Sequence, residues 1–99
     1  EAQGDKLVQE AEGKAEIIRK EAASMAEKIR SEADAQAQKI LKEAENKGTV
    51  AKLAARKAAD SIMNEGEKRS QQVIKEADEK ADRLVEEAKA KREDLLKQI

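Results

Sequence analysis

Apolar residues return along this chain every eleven positions. Leu7, Ile18, Ile29, Ile40, Ala51, Ile62, Val73, Leu84 and Leu95 form one row, large in all but one place. A second row is small: Ala11, Ala22, Ala33, Ala44, Ala55, Gly66, Ala77 and Ala88, closed by Ile99. A third runs Gly4, Ala15, Ala26, Ala37, Gly48, Ala59, Ser70, Ala81 and Arg92. Beside them lies a mixed row of Val8, Arg19, Arg30, Leu41, Lys52, Met63, Ile74, Val85 and Leu96. With the repeat lettered a to k from Gly4, these rows stand at d, h, a and e. Spacings of three, four and seven place all four on one face of an α-helix. Eleven residues over three turns is about 3.67 per turn, which predicts a right-handed supercoil.

The phase runs from Leu7 to Leu95 without insertion or deletion. The expected fold is therefore all-α: a single continuous coiled-coil segment over 1–99, about 150 Å long at about 1.5 Å per residue. Charge follows the same period. Glu10 with Lys14, Glu43 with Lys47, Glu65 with Arg69, Glu76 with Lys80 and Glu87 with Lys91 are acid-to-base steps of four. Each is worth about 0.2–0.5 kcal/mol to a helix and reads as a solvated face.

The centre departs from the pattern. Asn46-Lys47-Gly48-Thr49 reads as a helix stop followed by an N-cap at Thr49, so a helical hairpin turning near Gly48 is the alternative fold. Preserved phase across Gly48 favours continuity, in which case Gly48 costs about 1 kcal/mol relative to Ala and allows close helix contact. Val50, Leu53 and Ala54 stand where other repeats mostly carry charge. They predict a widened interface or hinge over 46–54 and a second contact surface.

Composition removes most other classes. The 99 residues include no Pro, Cys, His or aromatic residue, and 43% are charged. Alanine supplies half of the 38% apolar fraction, as in long helices and coiled coils rather than globular cores. The net charge of −1, from 22 acids and 21 bases, argues against a nucleic-acid footprint or an anionic-membrane patch. No apolar run is long enough to span a bilayer, and no signal-peptide core is present. Absence of thiols leaves the compartment open. A start at Glu1 rather than Met is expected of an excised segment or of a product left after leader removal, with any anchor lying upstream.

No catalytic constellation emerges. Paired carboxylates need an enclosure that shifts their pKa values, which a rod lacks. Zinc sets need His or Cys, and Ser24, Ser31, Ser61 and Ser70 have no histidine base. Gly4, Gly13, Gly48 and Gly66 stand alone rather than in a phosphate loop, and Met25 and Met63 read as packing residues. No cofactor, metal or enzymatic activity is expected.

The segments Ala15-Glu16-Ile17-Ile18-Arg19-Lys20-Glu21-Ala22 and Gln38-Lys39-Ile40-Leu41-Lys42-Glu43-Ala44 resemble the b-type and archaeal H-type peripheral-stalk subunits of rotary ATP synthases. That resemblance implies a right-handed coiled coil that holds a static part against torque. It implies no functional residue beyond the seam.

A lone helix buries none of its stripe, and backbone ordering costs about 1–2 kcal/mol per residue, so folding requires a helical partner. Small a and h residues favour a homodimer, with a tetramer or pairing with a similar helical chain as alternatives. The expected function is a non-enzymatic oligomerisation rod (stalk, spacer or scaffold) held by the a, d and h rows. The alternative is an envelope or periplasmic partner-binding, chaperone-like module gripping through Val50, Leu53 and Ala54. A lipid-surface amphipathic helix is disfavoured by the missing aromatics, the small stripe and the balanced charge.

Overall fold

The structure is a computed structural model describing residues 2–98; Ile99, the last member of the h row, lies outside the described residues. Two helices make up nearly all of it: α1 (Ala2–Glu43, 42 residues) and α2 (Thr49–Lys97, 49 residues). Their composition explains their length. Ala, Glu, Lys, Leu and Ile at helical spacing, with no Pro, leave nothing to break either one. Asp5 in the first turn of α1, Lys42 in its last and Lys97 in the last turn of α2 complement the helix dipoles.

The single continuous helix does not form. Between α1 and α2 the chain turns over Ala44–Gly48, and the hairpin alternative is the one observed. The longest helix is thus about 74 Å at about 1.5 Å per residue, not 150 Å. Conserved phase misled because periodicity reports which face of a helix is apolar. It does not report whether two faces belong to one rod or to two helices that meet.

Stopping is local chemistry. The Ala44 N–H still reaches the Ile40 carbonyl at 3.3 Å, but Glu45 and Lys47 donate three residues back, to Lys42 at 3.2 Å and Ala44 at 3.0 Å. That tightening ends the α-helical ladder. The Lys52 N–H then donates to the Gly48 carbonyl at 3.0 Å, which makes Gly48, rather than Thr49, the N-cap of α2. Gly48 is exposed, has nothing within 4 Å of where a Cβ would stand, and does not have positive φ. Its expected place in a close-packed seam is therefore corrected: it is a turn residue.

The chain divides into two compact units. One joins residues 1–23 to 74–99, the other is Ser24–Val73. In the first unit the two helices run antiparallel, with Asp5 near Arg92 and Arg19 near Asp78 and Asp82. Its core is Val8, Ala11 and Ala88, with Val85 packed against them. In the second unit the turn folds α2 back on α1, bringing Arg30 to Glu67 and Ala33 to Gly66. A Cβ built on Gly66 would lie 2.5 Å from the Ala33 Cβ, closer than atoms pack, so the absent side chain sets the helix separation there.

Candidate interaction surfaces

Burial follows the repeat, and it is the small rows that are covered. Of row a, Gly4, Ala15, Ala26, Ala37, Ala59, Ser70 and Ala81 are buried and Arg92 is half-buried. Of row h, Ala11, Ala22, Ala44, Ala55, Gly66 and Ala88 are buried, with Ala33 and Ala77 half-buried. The large row differs. Leu7, Ile18, Ile29, Ile40, Ala51, Ile62, Val73, Leu84 and Leu95 are every one of them half-buried. Among the described residues, the apolar ones fully inside are therefore Val8 and ten alanines. Ser70 is the one buried polar side chain among the described residues, and its hydroxyl donates to the Glu67 carbonyl at 2.8 Å, so nothing is left unsatisfied there.

Within each unit the two edges of the helix pair have different chemistry. One edge of the Ser24–Val73 unit carries the d row. Ile29, Ala33, Ile62 and Gly66 floor an open groove of about 160 Å³ there, flanked by Glu32, Gln36, Glu65 and Arg69. The opposite edge is charged. Arg30 Nε donates to Glu67 Oε2 at 2.9 Å and Nη2 to Oε1 at 3.3 Å, a fork-to-fork pair, while Gln71 Nε2 donates to Oε1 at 3.1 Å. Hydrogen bonding from Arg30 holds the Glu67 carboxyl below the usual carboxylate range, against some desolvation; the same bond pushes the Arg30 guanidinium up. In the other unit, Arg19 Nε lies 3.3 Å from Asp78 Oδ1 and Nη2 lies 2.6 Å from Asp82 Oδ1. Within single helices, Glu16–Lys20 at 3.2 Å and Glu86–Lys89 at 3.7 Å are also paired.

The cross-helix pairs escaped sequence reasoning because their partners are 37 to 87 residues apart. One signal was available. Arg19, Arg30 and Lys52 interrupt an otherwise apolar e row, and in a hairpin a base at such an edge position can meet an acid across from it, as Arg19 and Arg30 do.

The second surface expected from sequence is exposed. Val50 is 82% and Leu53 58% exposed, and Ala54 is also at the surface. They lie on the side of α2 away from Ala55 and Ala59, which are buried against α1. Leu41, at the end of α1, is 37% exposed.

Among the described residues no group of three or more acidic side chains is placed to hold a metal ion, and no helix is long and apolar enough to cross a membrane. Compared with protein families, with characterised proteins and with solved structures, the chain matches none.

Proposed function

We propose that this protein is a non-enzymatic helical scaffold whose hairpin associates with a second copy of itself through the d-row edge. Of the stalk, spacer and scaffold roles that the repeat suggests, a folded-back pair fits scaffold or spacer better than a continuous stalk. The half-exposed aliphatic row carries the reading. Burying Leu or Ile fully is worth about 1.5–3 kcal/mol each, and among the described residues none reaches that state alone. Two helices joined through alanine are marginal by themselves, and a second layer is the usual remedy.

Chemistry at the groove suits self-pairing. A two-fold arrangement repeats each contact twice, so Arg69 of one copy can meet Glu32 or Glu65 of the other while Ile29 and Ile62 pack between them. The right-handed hendecad geometry and a four-helix product are part of the same proposal.

Sedimentation equilibrium over a hundredfold concentration range tests it, with helicity followed in parallel. The expected result is a reversible shift from monomer to dimer mass, abolished in Ile29→Asp/Ile62→Asp while helicity persists at high dilution of the parent chain. A monomer at every concentration sinks the proposal.

A further inference from the structure

Charge is not spread evenly along this chain. Between Asp34 and Asp60, residues 35–59 carry six bases and two acids, a net +4. The remaining residues carry fifteen bases and twenty acids, a net −5. The overall −1 is the near-cancellation of two opposed regions, so the whole-chain balance that argued against an anionic partner averaged the signal away.

The basic stretch is the turn end of the Ser24–Val73 unit. Its six bases come from three elements: Lys39 and Lys42 from α1, Lys47 from the turn, and Lys52, Arg56 and Lys57 from α2. Val50, Leu53 and Ala54 stand among them, on the face of α2 that α1 does not reach.

We propose that this turn end docks on the surface of an anionic lipid bilayer. Val50 and Leu53 enter the headgroup boundary while the bases lie among the phosphates and carboxylates around them. Three observations select that occupant. Like charge at +4 opposes pairing with the turn end of a second copy. Bases spread over both helices and the turn surround that end of the unit, so a thick anionic headgroup layer that closes around it engages more of them than a single acidic helix, which meets one side. Val50 and Leu53 also project from the helix surface rather than lining a groove, so they fit a deformable medium better than a preformed pocket. Lysine and arginine stems lie along apolar surface while their charges reach outward, which matches that arrangement. This is surface docking, not spanning, and it works for a monomer, so it does not depend on the self-association proposed above.

Flotation of the full chain with vesicles tests it. One set is pure phosphatidylcholine and the other contains about a third phosphatidylserine, each at low and physiological salt. Binding is expected to the serine-containing vesicles alone, weakening as salt rises. Each base made neutral is expected to lower partitioning about fivefold, so Lys47→Gln/Lys57→Gln should lose more than tenfold. Val50→Asp/Leu53→Asp should also lose at least tenfold, with helicity unchanged because both side chains already face solvent. Lys80→Gln/Lys91→Gln removes equal charge from the other unit and should leave binding unchanged. Equal binding to both vesicle types, no binding at low salt, or an equal loss in the Lys80/Lys91 variant overturns the proposal. Capture by soluble polyglutamate as strong as that by the vesicles would assign an acidic protein surface instead and overturn it too.

Discussion

Two glycines of this chain illustrate opposite residue-scale physics. Gly66 meets the Ala33 Cβ where its own Cβ would be, whereas Gly13 meets nothing within 4 Å. Replacing a mid-helix Gly by Ala gains about 0.8–1.0 kcal/mol in propensity, while overpacking costs about 1–3 kcal/mol. Gly13→Ala should therefore raise the thermal midpoint, and Gly66→Ala should lower it. Ala33→Gly added to Gly66→Ala restores the space, so a double variant no more stable than Gly66→Ala would refute the contact. Glu67 gives a second residue-scale prediction. Its carboxyl is held below its ordinary value of 4.5, so its contribution is present above that pH and disappears as pH falls through the depressed folded value. The stability difference between the parent chain and Glu67→Gln should be constant near neutrality and vanish in acid. The pair is half-exposed, so the difference is small and salt-sensitive. A difference that survives at pH 2 would rule out the Arg30 pairing as its cause.

At the scale of elements, the turn decides the architecture. Ala44–Gly48 holds no left-handed residue and no proline, so the reversal rests on three-residue hydrogen bonds and on an N-cap with no side chain. Gly48→Ser supplies the missing cap oxygen to the first N–H groups of α2 without meeting any neighbour. It should raise stability by a few tenths of a kcal/mol, read as a shift of the denaturant midpoint at constant slope. A lowered midpoint would mean that Gly48 is needed for its backbone freedom. The two helices themselves were legible from spacing alone, because a period near 3.6 with no breaker admits one secondary structure. Asn46-Lys47-Gly48-Thr49 was legible as a stop signal too. Phase outweighed it only because a repeat crossing a turn looks the same as a repeat crossing none.

For the whole molecule, each unit's helix pair is closed by alanine, and each leaves aliphatic side chains half-covered. The proposed self-association predicts that the thermal midpoint rises with protein concentration, and that this dependence is absent in Ile29→Asp/Ile62→Asp. A midpoint independent of concentration for the parent chain would remove the case for a second layer. By itself, the sequence determined that the chain is helical, which four rows share a face, that the small rows are the ones able to come close, and where the chain is able to turn. Those properties depend on residues within a few turns of one another. Tertiary structure alone decided that the small rows meet within one chain, that Arg30 finds Glu67 and Arg19 finds Asp78 and Asp82, and that Gly66, and not Gly48, is a point of close approach. Those outcomes depend on which of two equally apolar faces is nearest. Once the turn forms, the other half of the same chain is held close at a high local concentration that a separate copy must compete against.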